Sequence, residues 1–130
     1  MYIEPTQQQI EALASSSEAG PVVMINLLRF RPDSGAAAYA HYGEGAMPCL
    51  GRAGARVLWH GRPDSVVIGE SADLWDAVVV VEYPSRRAFV EMISSTEYQA
   101  IAGRRTEALA DSRLIACSQV LPRSEDKADG

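Results

Sequence analysis

Cysteine and histidine are scarce in this 130-residue chain, which has two of each: Cys49 and Cys117, His41 and His60. The cysteines stand far apart, match no metal or redox spacing and each lie in an apolar stretch, which points to two buried thiols rather than a disulfide. Neither histidine belongs to an H-x-x-H or H-E-x-x-H pattern, so no metal site is expected. No apolar run approaches the roughly 18 residues of a membrane span. Basic residues are in the minority, 12 against 17 acidic, for a net charge of −5. Nucleic acid and anionic membranes reward clustered Lys and Arg, so neither is an expected partner. A glycine-rich phosphate loop after the first predicted strand is also missing, and no cofactor is expected; Gly43-Glu44-Gly45 falls inside a predicted helix. Met1-Tyr2-Ile3-Glu4-Pro5 has neither a basic nor an apolar signal region, which makes the cytoplasm the expected location.

What is present is an ordinary globular composition, 47% apolar and 22% charged, in 14.1 kDa. A chain of this size supports one hydrophobic core. The expectation is a single domain over residues 1–123 and a disordered charged tail over 124–130.

Thr6 and Gln9 have capping-box spacing, and Ile10, Leu13 and Ala14 make a one-sided stripe, predicting a short helix over about 5–15. Val22–Leu28 is apolar but for Asn26 and reads as a strand buried on both faces. A helix follows from about Gly35 to Arg52, with Ala38, Tyr42, Ala46 and Cys49 in its apolar row. Ala55–Gly61 and Ser65–Gly69 are extended segments around Arg62-Pro63-Asp64, either one bulged strand, which the likeness below favours, or two short ones. Asp76–Tyr83 is the strongest strand, stopped by Pro84. Ser85 then caps a helix bearing Phe89, Met92 and Ile93, and Thr96 and Gln99 open another through about Ala110. Leu114–Leu121 reads as the last strand.

After its first helix the order is β-α-β-β-α-β, the split βαβ pattern: an α+β, ferredoxin-like fold with a four-stranded antiparallel sheet and helices on one face. One helical layer cannot cover strands that are apolar on both faces. A second layer is expected over the open face, and the same sheet from another subunit supplies it most simply, giving a homodimer.

Asn26-Leu27-Leu28-Arg29-Phe30, Trp75-Asp76, Glu82-Tyr83-Pro84-Ser85 and Glu97-Tyr98-Gln99…Arg105 resemble the family called Domain of Unknown Function 1330, a likeness that covers roughly residues 20 to 120. The resemblance implies the dimeric α+β barrel, in which two ferredoxin-like subunits pack sheet to sheet. It implies no catalytic residues, because that superfamily holds cofactor-free monooxygenases, isomerase-like enzymes, haem-handling proteins and proteins with no known activity.

The split βαβ topology places Asn26, Arg29, Tyr39, His41, Trp75 and Arg105 toward one end of the domain. Arg105 is the sharpest of these: Tyr98, Ile101, Ala102 and Leu109 form a helical stripe and Arg105 falls on it. A charge there must meet an anion or an internal acid, Asp76 or Asp111. Asn26, Arg29, Tyr39, Trp75 and Arg105 are the expected ligand-binding set, and His41, His60 and Glu82 the catalytic candidates, His60 pairing with Glu82 if the second strand is unbroken. Trp59 and Trp75 also suit a core or dimer interface. Two functional readings stay open: a metal-free and cofactor-free enzyme, monooxygenase-like or isomerase-like, acting on a small organic acid, and a non-catalytic dimer that binds a small anionic ligand or serves in assembly.

Overall fold

The computed structural model describes residues 1–122; the predicted tail over 124–130 lies outside the described residues. The elements are α1 (Gln7–Ala14), β1 (Val22–Phe30), α2 (Gly35–Arg52), β2 (Arg56–Gly61), a 3-10 turn (Ser71–Asp73), β3 (Ala77–Tyr83), α3 (Arg86–Ser94), α4 (Thr96–Ala108) and β4 (Leu109–Cys117). The strands form one antiparallel sheet in the order β2-β3-β1-β4, which is the ferredoxin-like arrangement with an added N-terminal helix.

Strand periodicity sorts the side chains. In the β1–β3 register Val22 faces Tyr83, Met24 faces Val81, Asn26 faces Val79 and Leu28 faces Ala77. These residues point toward the helices, and all but Asn26 are buried in one cluster with Cys49, Phe89, Met92, Ala108 and Leu109. The alternate residues, Val23, Ile25, Leu27, Val78 and Val80, lie on the face opposite this core. Among the described residues no helix lies on that face, so the two-sided apolar strands have a packed side and an open side.

Local chemistry sets the helix ends. The Thr6–Gln9 capping box forms in both directions. Ser85 caps α3 through the Ala88 N–H, and Ser95, rather than the expected Thr96, caps α4 through the Tyr98 N–H. Gly35 opens α2 where a Cβ would lie 2.7 Å from the Ala108 carbonyl oxygen and 2.9 Å from the Phe30 Cβ, so no larger residue fits between β1 and the end of α4. Arg31 satisfies the carbonyls there, its N–H donating to Ala108 and its Nε to Leu109.

Two expected boundaries are corrected. The last strand runs from Leu109 to Cys117, not from Leu114 to Leu121, and starts directly after α4. Its Asp-Ser-Arg run is tolerated because β4 is an edge strand: Asp111 and Arg113 pair with each other at 2.8 Å, and Ser112 donates to the Tyr2 carbonyl. The second strand ends at Gly61, so Arg62-Pro63-Asp64 leaves the sheet, and its irregularity lies between Val57 and Trp59 instead.

Leu109 is fully buried at the start of β4. Leu109→Ala is expected to cost about 2–5 kcal/mol through lost burial and a residual cavity. Denaturant unfolding checks this, and a loss below about 1 kcal/mol would contradict the assigned strand start.

Candidate functional site

The N-terminal segment builds one wall of a cleft against the helix side of the sheet. Tyr2 is tied to β4, its N–H donating to Asp111 Oδ1 at 2.7 Å and its carbonyl accepting from Ser112 Oγ at 2.6 Å. The Tyr2 N–H bond is the main cause that holds the Asp111 carboxyl below its ordinary range. One residue on, the Ile3 carbonyl accepts from Arg105 Nη1 at 2.6 Å, and Glu4 accepts from the Thr106 hydroxyl at 2.9 Å. Under this segment lie two adjoining cavities of about 520 and 420 Å³, both walled by Ile3, Glu4, Met24, Phe89, Arg105 and Leu114.

The smaller cavity adds Asn26 from β1, Tyr42 from α2, Tyr83 from β3 and Tyr98 from α4. Tyr42 and Tyr98 share one hydrogen bond, hydroxyl to hydroxyl at 2.8 Å. Tyr39 stacks at a tilt on Tyr42, with ring centroids 5.3 Å apart. Burial pushes the hydroxyl pKa of Tyr39, Tyr42 and Tyr83 upward, and the Arg105 guanidinium opposes each shift through its charge. At neutral pH this is a cluster of protonated phenols around one cation. Asn26 donates one amide hydrogen to the Val79 carbonyl at 3.1 Å, a cross-strand bond that fixes its side chain.

Arg105 meets neither of the acids the sequence offers it. Asp76 accepts from the Phe30 N–H, and Asp111 is held by Tyr2, Ser112 and Arg113. Among the described residues no carboxylate lies within 4 Å of the Arg105 guanidinium.

The other expected residues are not brought to this cleft. Arg29 sits on the open face, with its guanidinium 4.4 Å over the Trp75 ring, and donates from Nη2 to the carbonyls of Ala72 and Leu74. Trp75 also receives Arg113 at 5.3 Å, and Arg113 in turn lies 4.7 Å over Tyr2. His41 is exposed on α2, 3.9 Å from Glu44. His60 stands opposite Val79, and Glu82 pairs with Arg56 at 3.1 Å; with β2 ending at Gly61, His60 moves away from Glu82 toward the level of Asn26. Among the described residues no three His, Cys, Asp or Glu side chains are grouped so as to hold a metal ion. Tyr42, Tyr83, Tyr98 and Glu4 are among the polar cleft residues that sequence reasoning missed. The signal for two of them was present, since Tyr42 and Tyr98 lie on the apolar rows of their helices.

The buried phenols fix a pH dependence. An unfolded tyrosine loses its proton near pH 10. The folded ones keep theirs to higher pH, so above pH 10 the folded state binds more protons and stability falls as pH rises. Their contribution is therefore expected to be constant below about pH 9.5 and to fall above pH 10, by up to about 1.4 kcal/mol per pH unit for each tyrosine. Urea midpoints measured across this range should fall less steeply in Tyr42→Phe; equal slopes would contradict the burial of that hydroxyl.

Residues 34–119 match the family model "Domain of unknown function (DUF1330)". A protein of unknown function from Rhodopseudomonas palustris is 38% identical, over 93% of this chain and 98% of its own, with a TM-score of 0.88. A dimeric protein of unknown function with a ferredoxin-like fold, from Bacteroides fragilis, is 11% identical over 76% of this chain and 96% of its own, with a TM-score of 0.54. A protein from Bacteroides thetaiotaomicron, assigned provisionally as an antibiotic biosynthesis monooxygenase, is 13% identical over 78% of this chain and 91% of its own, with a TM-score of 0.55. At those identities the last two share the fold alone. A comparison with curated proteins found no match. The family match spans well over half of the chain and the Rhodopseudomonas relative nearly all of it: the chain belongs to the Domain of Unknown Function 1330 family and has its ferredoxin-like fold.

Proposed function

We propose that this protein is a small-molecule-binding homodimer whose cleft holds a small organic acid by its carboxylate. The observation that carries this is Arg105, a half-buried guanidinium on a cavity wall with no carboxylate within 4 Å among the described residues. A guanidinium offers two parallel donors that match a carboxylate, and its present partner is one backbone carbonyl. The Tyr42–Tyr98 pair holds two hydroxyl hydrogens and uses one in their mutual bond, which leaves the other for a ligand oxygen. Met24, Phe89 and Met92 supply apolar wall for the organic part, and about 420 Å³ suits a small molecule.

Binding fits this cleft better than proton transfer. A monooxygenase-like or isomerase-like enzyme needs a group poised to exchange a proton near pH 7. His41, His60 and Glu82 lie outside the cavities, and burial holds the Tyr42 and Tyr83 phenols on the wall protonated. Among the described residues the single carboxylate on the walls, Glu4, is engaged by Thr106. The homodimer is supported by the open apolar face of β1 and β3 and by the dimeric state of the Bacteroides fragilis protein of the same fold.

Arg105→Met is expected to keep the fold and to weaken carboxylate binding by about 2–5 kcal/mol. Thermal melts of both proteins with a panel of small carboxylates check this. Equal ligand-induced shifts in the two, or no shift in either, would contradict the proposal. Sedimentation at micromolar concentration should give twice 14.1 kDa; a stable monomer would overturn the dimer.

A further inference from the structure

We infer that the connection between β2 and β3 is an arm that docks on a second copy of this chain, anchored by Val67 and Ile68. This rests on the dimer proposed above and names an element that makes it. Antiparallel neighbours are commonly joined by two to five residues. Here the chain leaves the sheet after Gly61 and returns only at Ala77. Connections this long, with a single 3-10 turn, are uncommon and are either functional or linker segments, and this one is tied down at its base as a linker is not. At its far part Val67 is 89% and Ile68 95% exposed. Scattered exposed apolar residues are ordinary, but two adjacent β-branched side chains this bare are not. Ser65-Val66-Val67-Ile68-Gly69 carries no charge, so burying it strips water from no ion.

The base of the arm is fixed. Arg29 Nη2 donates to the Ala72 carbonyl at 2.9 Å and to the Leu74 carbonyl at 3.1 Å, and the Arg29 guanidinium covers Trp75. Asp73 Oδ2 accepts the Glu70 N–H at 2.8 Å. Gly69 turns the chain at a φ of +138°, where a Cβ would lie 2.7 Å from the Asp73 carboxylate. A loop held this way presents its apolar tip at low entropic cost to a partner.

Position selects a second copy as that partner. Arg29, which holds the base of the arm, lies on the open face with Ile25 and Leu27, so the arm is continuous with the surface through which the proposed dimer forms. The chemistry matches, because the open face offers Val23, Ile25, Leu27, Val78 and Val80, with Ile115 half exposed on β4.

The test is sedimentation velocity on the full chain over a concentration series, comparing wild type with the double variant Val67→Asp, Ile68→Asp, and far-UV circular dichroism to confirm the fold. Both positions are exposed in the isolated subunit, so the variant should fold normally. The wild type is expected to be a dimer, and the variant's dimer dissociation constant to rise roughly 30-fold or more, as for loss of interface anchors. A variant that dimerises as tightly as wild type overturns the arm and leaves the dimer standing. A monomeric wild type overturns both.

Discussion

The structure depends on a sheet that is apolar on both faces while its own helices cover one. Val22, Met24, Leu28, Val79 and Val81 are buried beneath the helices, whereas Val23, Ile25, Leu27, Val78 and Val80 lie on the other side of the same strands. The packed side fixes the fold through ordinary burial. Among the described residues no helix covers the open side, and this is the physical basis for reading the chain as half of an assembly.

The N-terminal segment joins the two sides. Tyr2 is bonded to Asp111 and Ser112 at the β4 edge and stacks on Arg113, which with Arg29 flanks Trp75 on the open face. The next residue, Ile3, gives its carbonyl to Arg105 inside the cleft. One short stretch therefore connects the open-face arginine–aromatic ladder with the Arg105 guanidinium in the cleft. The Ile3 carbonyl partly satisfies Arg105 without neutralising it, so a ligand carboxylate would add charge pairing that no described residue provides.

Most of the fold was legible because periodicity and capping are local signals. The α2 limits and the β3 strand follow directly from apolar spacing and the stop at Pro84. The start of β4 was not, because Asp111-Ser112-Arg113 reads as a loop until the edge position and the Tyr2 contacts are known. Arg105 and Asn26 were legible as polar residues on apolar surfaces, and both line the cleft. Arg29 and Trp75 were legible as neighbours at one end of the domain, and the alternation along β1 puts Arg29 on the face of Ile25 and Leu27, opposite to Asn26. The Tyr42–Tyr98 hydroxyl bond joins two helices far apart in sequence, and no spacing rule encodes such a contact.

The proposed role of Arg105 is to donate its guanidinium N–H groups to a ligand carboxylate in the cleft. The most direct measurement is the side-chain Nε–Hε resonance of Arg105, assigned with Arg105→Met, followed by NMR as benzoate is added to the full-length protein. A saturable shift at Arg105, with no comparable shift at Arg29 on the opposite face, is the result predicted. An Arg105 resonance that stays fixed, or moves only in parallel with Arg29 and without saturation, would contradict it.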